Sequence, residues 1–190
     1  MQFDFSFDYI LENDFVLLRP LKRDDIDNLL YFSLNEPEIW KYSTLKVSGE
    51  DNLKNYINLA IQAREEKKEY PFIVFDKRQK KYAGSTRFYD IQLSGKTLQL
   101  GFTWYGIFFQ GTGINKHCKF LLLEFAFEKV QMERVEFRAD NNNARSIAAM
   151  KSIGCVMEGV LRSNAVASDG KRRDSIVLSI LNMNGKIKSK

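Results

Sequence analysis

The sequence predicts an α/β domain: a mixed, mostly antiparallel, twisted sheet of about seven strands flanked by about four helices. Three observations support this fold class. Seven short segments have the residue pattern of strands, and four have helical periodicity. Short turns join the three strands in the middle of the chain, which makes them antiparallel. A strand–helix–strand unit then follows, and such units pair their strands in parallel with a right-handed crossover.

The N-terminal elements are a strand and two helices. Residues 15–18 form a short apolar strand that is stopped by Pro20. Asp24 and Asp25 open the first helix, because acidic residues favour a helix N-terminus. Ser48 is predicted to cap the second helix. The apolar face of that helix consists of Leu53, Ile57 and Ile61.

The middle of the chain contains the three antiparallel strands. Residues 72–75 are continuously apolar, which is typical of a buried strand. Residues 82–91 and 98–105 follow as strands, joined by a turn at residues 94–96 that contains glycine. A second glycine-containing turn, at residues 110–115 and called the glycine turn below, follows these strands and leads into the helix of the crossover unit.

The C-terminal elements alternate between helices and strands. The helix after the turn at residues 110–115 has apolar residues at helical spacing from Ile114 to Phe125. Residues 135–139 alternate in polarity as a strand does. Asn143 caps the last short helix and Gly154 ends it. Two final strands, at 155–162 and 174–181, are joined by a turn at 168–170.

The turn Gln-Gly-Thr-Gly-Ile-Asn at residues 110–115 predicts an anion site. Gly111 and Gly113 leave the backbone open to close approach, and the helix N-terminus after them adds free N–H groups and partial positive charge. An ordinary loop-to-helix junction is the alternative. A P-loop requires four residues between its glycines, followed by Lys and then Ser or Thr, and this spacing is absent. A dinucleotide-binding turn requires a third glycine at position 116, which is Lys here. The turn is therefore neither of these.

Composition excludes several functional classes. The 190 residues are expected to form one domain, 1–190, with a net charge of +5. We expect no membrane-spanning segment, no signal peptide and no nucleic-acid partner. Cys118 and Cys155, with a single histidine, predict no disulfide framework and no metal site, and indicate a cytoplasmic setting. The basic tail, residues 186–190, is interpreted as a frayed end.

With these motifs the chain resembles the GNAT family, the acetyl-coenzyme A-dependent N-acetyltransferases. The order of elements matches along essentially the whole chain. The family's pyrophosphate motif is Gln/Arg-x-x-Gly-x-Gly/Ala, and its three positions are occupied here by Gln110, Gly113 and Asn115. Asn115 departs from the motif, because it has a side chain where the family prefers almost none.

A second motif is similar to the branch of the family that acetylates ribosomal-protein N-termini, the RimJ/RimL type. Asn143-Ala144-Arg145-Ser146 matches the Asn-x-x-Ser of that branch. Residues 151–159, which end in Glu158-Gly159, match its following Gly-containing stretch, and the C-terminal residues 162–174 are also similar. The joint match is more specific than either motif alone.

The resemblance implies the cosubstrate acetyl-CoA and a set of residues that bind it. The backbone amides of the glycine turn would hold the pyrophosphate, and the edge of the preceding strand would pair with the pantetheine amides. Two residues of the last helix would lie beside the thioester. In sequence order, these residues are Thr103, Trp104, Tyr105, Gln110, Gly111, Thr112, Gly113, Ile114, Asn115, Asn143 and Ser146.

The chemistry implied by the family is direct attack of a neutral amine on the acetyl thioester. Ser146 is the candidate proton donor to the leaving thiolate. Relatives often carry Glu at the position of Gln99 and Tyr at the position of Met150. Gln99 cannot serve as a base, and Met150 cannot donate a proton. The base is therefore a water relay, bulk water or Glu158, although Glu158 is also explained by an ion pair with Arg162 or Arg138.

Two functions from different classes remain open. The first is an N-acetyltransferase whose acceptor is a primary amine, either a small molecule or a protein N-terminus. The second is a catalytically weak module that binds or senses acyl-CoA, which the departures at Gln99 and Met150 keep open. A monomer or a homodimer is expected, without a metal.

Overall fold

A computed structural model describes residues 3–182 of the chain. It contains four α-helices and one eight-stranded sheet. The α-helices are α1 (Asp25–Asn35), α2 (Glu50–Glu65), α3 (Ile114–Glu124) and α4 (Ala144–Ser152). The strands are β1 (Leu11–Glu12), β2 (Val16–Pro20), β3 (Tyr70–Asp76), β4 (Lys81–Gln92), β5 (Thr97–Tyr105), β6 (Arg134–Asp140), β7 (Val156–Val166) and β8 (Arg172–Leu181).

The mixed, mostly antiparallel sheet is confirmed. Its order is β1-β2-β3-β4-β5-β6-β8-β7, and every neighbouring pair is antiparallel except β5 and β6, which are parallel as predicted. The strand beyond the predicted seven is the two-residue β1, which is too short to show a period in the sequence.

The two central strands separate soon after they meet. β5 pairs with β6 only from Thr97 to Gln99, whereas it stays paired with β4 as far as Tyr105. β6 in turn stays paired with β8 as far as Asp140. The carboxyl ends of β5 and β6 are therefore held by different neighbours, and a cleft opens between them. Ligands bind at this end of parallel strands in open α/β sheets.

A bulge in β5 lies where the cleft begins. Thr86 of β4 faces two residues of β5, Phe102 and Thr103, because the register shifts between the pairs Arg87–Gly101 and Ser85–Trp104. Phe102 has a φ of 49°, which is uncommon for a bulky residue. Bulges bend a strand and increase its twist, and this one contributes to the separation of β5 from β6.

Most predicted helix ends are confirmed, and one is wrong. The Asn143 side chain accepts a hydrogen bond from the Ser146 backbone N–H at 3.1 Å, and Gly154 follows α4 with a φ of 95°. Ser48 does not cap α2. Gly49 occupies the cap position, and Ser48 instead offers its carbonyl to the Asn52 side chain. A Gly after the Ser takes that position because its φ of 94° suits the entry of the chain.

The core extends to the N-terminal segment. Phe3, Phe5 and Tyr9 are buried against Tyr70 and Phe125. No helix within residues 3–182 has the length and apolarity needed to cross a membrane. The predicted frayed tail, residues 186–190, lies outside the described part of the chain.

Candidate active site

A cleft of about 1030 Å³ lies between the carboxyl ends of β5 and β6. One wall is β5 from Gly101 to Tyr105, and the other is the end of β6 with the N-terminus of α4. The glycine turn and the start of α3 close one end. Residues 38–44, which lie between α1 and α2, close the other. All candidate residues except Thr112 and Glu158 line this cleft.

The glycine turn is open to a ligand. Gly111 and Gly113 have φ angles of 77° and 88°, and a Cβ atom added to either would meet nothing within 4 Å. Within residues 3–182 no side chain caps α3 at Gly113, so the N–H groups of Ile114 and Asn115 remain available, whereas that of Lys116 donates to the Gly113 carbonyl at 3.0 Å. Such a turn fits a phosphate group. Asn115 lines the cleft beside it, while Thr112 faces away and donates from Oγ1 to the Phe109 carbonyl at 2.7 Å.

The Gln110 side chain joins the two sides of the cleft rather than pointing into it. Its amide group donates to the Tyr105 carbonyl at 2.8 Å and accepts a hydrogen bond from Arg145 of α4. These contacts fix the glycine turn relative to the end of β5 and the start of α4. A contribution of Gln110 to ligand binding would therefore come from its backbone.

The Trp104 and Tyr105 side chains of β5 are buried in the core. Trp104 packs against Trp40 with ring centroids 4.5 Å apart and donates from Nε1 to the Tyr56 hydroxyl at 3.3 Å. Burial raises the pKa of Tyr105 well above its usual value. A ligand in the cleft would meet the backbone edge of this strand, which β6 has left unpaired.

Ser146 lies in the first turn of α4 and lines the cleft. It is half-buried, and its hydroxyl has no hydrogen-bond partner within residues 3–182, while its backbone N–H is held by Asn143. Asn143 thus orients the turn that presents Ser146. Asn143 therefore caps α4 and also lines the cleft, and Ser146 lines the cleft from the capped turn.

Glu158 does not reach the cleft. It is exposed on β7, where it forms an ion pair with Arg134 and accepts a hydrogen bond from the Ser179 hydroxyl at 2.6 Å. Arg134 begins β6, at the opposite end from the cleft, so the partner is neither Arg162 nor Arg138. The hydrogen bond from Arg134 and, to a lesser extent, the one from Ser179 lower the pKa of Glu158 to about 2. A carboxylate with this pKa is unsuited to act as a base at neutral pH.

The two family departures have different surroundings. Gln99 is buried outside the cleft, and its Nε2 donates to Asp90 Oδ2 at 2.8 Å, while its Oε1 has no partner among residues 3–182. A carboxylate at this position would therefore also lie outside the cleft. Met150 is buried and lines the cleft.

Sequence reasoning missed Lys119, a buried lysine on α3 that also lines the cleft. The available signal was its spacing, because Leu122 and Leu123 at i+3 and i+4 are both buried, so Lys119 lies on the apolar side of the helix. A lysine at such a position is unusual.

The cleft is predominantly cationic. Two carboxylates, Glu38 and Asp140, line it among the described residues. Asp140 accepts a hydrogen bond from the Asn142 backbone N–H at 2.8 Å and lies 3.8 Å from Arg173. The cations that line the cleft are Lys41, Lys116, Lys119, Arg138, Arg145 and Arg173. Within residues 3–182, no group of three or more His, Cys, Asp or Glu residues is arranged to hold a metal ion.

Comparison with known proteins identifies the class of this site. Residues 16–156 match the model of the acetyltransferase (GNAT) domain. The chain is 25% identical to "Probable N-acetyltransferase YjcK" of Bacillus subtilis (strain 168), over 91% of this chain and 97% of that protein. The class is thus an acyltransferase that uses acetyl-CoA. The chain belongs to the GNAT acetyltransferase family.

Two solved structures share the fold. A GCN5-related N-acetyltransferase from Brucella melitensis superposes with a TM-score of 0.86 at 22% identity, covering 93% of this chain and 80% of that one. The microcin C7 self-immunity acetyltransferase MccE, solved with acetyl-CoA and AMP, has a TM-score of 0.77 at 23% identity, covering 89% and 93% of the two chains.

Proposed function

We propose that this acetyltransferase transfers the acetyl group from acetyl-CoA to a primary amine by direct attack on the thioester. The observation that carries the proposal is the separation of β5 and β6 between an open glycine turn and the N-terminus of α4. This cleft leads from a phosphate-sized turn, along a free strand edge, to a hydroxyl group. Acetyl-CoA supplies the activated acetyl thioester.

Backbone groups are proposed to hold acetyl-CoA. The amides of residues 110–115 would bind the pyrophosphate, helped by the N-terminus of α3. The edge of β5 from Thr103 to Tyr105 would bind the pantetheine amides as an added strand. N–H groups of the same strand would polarise the thioester carbonyl.

Ser146 is proposed to donate a proton to the sulfur as the carbon–sulfur bond breaks. Its support is its place in the cleft together with a hydroxyl that no described residue engages. General acid catalysis typically contributes about 10²–10⁴-fold.

The acceptor amine is proposed to lose its proton to bulk water. Glu158 and Gln99 lie outside the cleft, so neither supports a protein base. Activity should then rise with pH towards the pKa of the acceptor, about 7.7–8.0 for a protein α-amino group and about 10.4 for an alkyl amine.

The charge of the cleft supports an acceptor that is not a polycation. Arg138 and Arg173 line the cleft together with Lys41, against the two carboxylates of Glu38 and Asp140. Repulsion would weaken the binding of polyamines and aminoglycosides, whereas an amine that also carries a carboxylate or carbonyl group would be attracted. A protein N-terminus or a small amino acid-like amine fits this description, as does the RimJ/RimL-like motif at Asn143–Ser146.

The test is the release of free CoA thiol from acetyl-CoA when amines are added. We expect turnover with N-terminal peptide amines and amino acid-like amines to exceed turnover with spermidine, an alkyl polyamine. Ser146→Ala should lower kcat by about 10²–10⁴-fold and leave acetyl-CoA affinity nearly unchanged. Ser94→Ala, in the exposed turn between β4 and β5, is the matched control.

The same assay distinguishes an acetyltransferase from a protein that only binds acyl-CoA. A chain that only binds acyl-CoA would show binding by calorimetry but no amine-dependent thiol release with any class of amine. A loss of acetyl-CoA affinity in Ser146→Ala, without a change in kcat, would give Ser146 a binding role instead.

A further inference from the structure

Lys119 is a buried cation that lines the cleft. Its residue is 5% exposed, and its Nζ donates to Thr103 Oγ1, on β5, at 3.0 Å. The ammonium group also lies 5.2 Å from the ring centroid of Phe137, on β6. The side chain of Lys119 therefore spans the gap between the two strands that separate to form the cleft.

No carboxylate of the described residues compensates the charge of this lysine. Within residues 3–182, no carboxylate lies within 4.0 Å of its Nζ, although an ammonium group can donate three hydrogen bonds and only the one to Thr103 is formed. The titratable groups that face it are thiols. Burial raises the pKa of Cys118, on α3, to about 12 and that of Cys155, before β7, to about 11, so both remain neutral.

The other charged groups of the cleft are held elsewhere. Asp140, at the end of β6, accepts from the Asn142 backbone and lies next to Arg173. Arg138, on β6, pairs with Glu136 at 2.7 Å. Lys116, one turn earlier on α3, is exposed. Burial lowers the pKa of Lys119 to about 8, yet below that pH it remains a cation with an unmet need for hydrogen-bond acceptors.

We propose that Lys119 binds the sulfur end of acetyl-CoA and stabilises the negative charge that forms on the sulfur when the thioester breaks. This inference rests on the proposed function, since it requires the pantetheine arm to follow β5 past Thr103, the partner of Lys119. The new bond joins the amine nitrogen to the acetyl carbon. The carbon–sulfur bond breaks, and its electron pair moves to the sulfur.

In this scheme Lys119 keeps its proton. The proton lost by the amine passes to bulk water, and the sulfur is protonated by Ser146 or solvent. The contribution of Lys119 is electrostatic, and such a contribution is large in a site that is shielded from water. The sulfur would also accept a hydrogen bond from the ammonium group, whose only hydrogen bond within residues 3–182 is the one to Thr103.

The decisive measurement is the pKa of the CoA thiol in the complex, followed by the ultraviolet absorbance of the thiolate. Wild-type protein should lower this pKa by about 1 to 3 relative to Lys119→Met, because a nearby positive charge favours the thiolate. Lys119→Arg should retain much of the effect. The matched control is Lys129→Met, at an exposed site further along the same helical segment, which should behave as wild type.

An equal thiol pKa in wild type and Lys119→Met would overturn the inference. Calorimetry with acetyl-CoA separates this failure from that of the proposed function. Binding to both proteins with an unchanged thiol pKa removes only the role of Lys119. If wild type fails to bind acetyl-CoA, both proposals fail.

The stability of the free protein provides an independent measurement. Lys119→Met removes a buried, unpaired charge, so without ligand it should unfold at an equal or higher temperature than wild type at pH 7. The folded pKa of about 8 is below the usual 10.5, so wild type regains stability as pH rises through this window and the difference should shrink. A lower melting temperature for Lys119→Met at pH 7 would contradict the premise of the inference, that the protein holds Lys119 as a buried, uncompensated charge.

Discussion

At the scale of single residues, Gln99 shows how burial determines what a substitution does. It lies beside Asp90, to which its Nε2 donates at 2.8 Å, and its Oε1 has no partner in the part of the chain that the structure describes. Gln99→Glu would place a second carboxylate in contact with Asp90 and remove a donor. We expect the free energy of unfolding to fall by about 1–3 kcal/mol at pH 7, and by less near pH 4, because protonation removes the repulsion.

Gln92 provides the matched control for this prediction. It donates to the other oxygen of the same carboxylate, Asp90 Oδ1, at 2.9 Å, but it is exposed. Gln92→Glu should change the free energy of unfolding by no more than about 0.5 kcal/mol. Urea denaturation of both variants at pH 7 and pH 4 makes the comparison. Equal free energies of unfolding for the two variants would show that the burial of Gln99 does not determine the effect of the substitution.

At the scale of elements, Glu158 connects the outer strands to the centre of the sheet. It joins β7 to Arg134 of β6 and to Ser179 of β8, which lies between those strands. The folded pKa of about 2 is below the usual 4.5, so the stabilisation is fully present above pH 4.5 and is lost as pH falls through 2.

Glu158→Gln should therefore lower the melting temperature at pH 7, and the difference from wild type should disappear as pH falls from about 4.5 to about 2. Acetyl transfer at neutral pH should be unchanged, because Glu158 lies away from the cleft. Glu133→Gln, which affects a longer, exposed pair with Lys96 at 3.6 Å, should have little effect on stability. A drop in kcat without a loss of stability would return Glu158 to the catalytic candidates.

At the scale of the whole molecule, acetyl-CoA binding should stabilise the folded chain. Ligand at a hundredfold excess over Kd contributes about 2.7 kcal/mol and raises the melting temperature. Gly113→Asp should abolish this increase, because it places a side chain and a negative charge in the open glycine turn, where φ is 88°.

Gly170→Asp separates the loss of binding from backbone strain. Gly170 has a φ of 87°, and an added Cβ atom would likewise meet nothing within 4 Å, but it lies in the turn between β7 and β8. Both variants should lower the melting temperature of the free protein, and only Gly113→Asp should lose the increase with acetyl-CoA. A normal increase in Gly113→Asp would contradict the placement of phosphate at this turn.

Local patterns in the sequence were sufficient to predict most elements and part of the site. Short apolar runs, alternating polarity and helical spacing predicted seven strands and four helices, because each pattern depends only on near neighbours. The cap at Asn143 and the stop at Gly154 are equally local and are confirmed. The glycine pattern itself indicated an anion-binding turn, and the family resemblance indicated Ser146 and the edge of β5. The fold brings all three to one cleft.

Only the tertiary structure decided which polar side chains face that cleft. Glu158 pairs with Arg134 and Gln99 with Asp90 because β-strand pairing brings together residues that are distant or out of period in the sequence. Only the fold shows that Lys119 is buried between β5 and β6, with no carboxylate of residues 3–182 within 4.0 Å of its Nζ. Residue types and spacing determine the elements, whereas charge and burial at the cleft depend on how β5 and β6 separate, which no local pattern records.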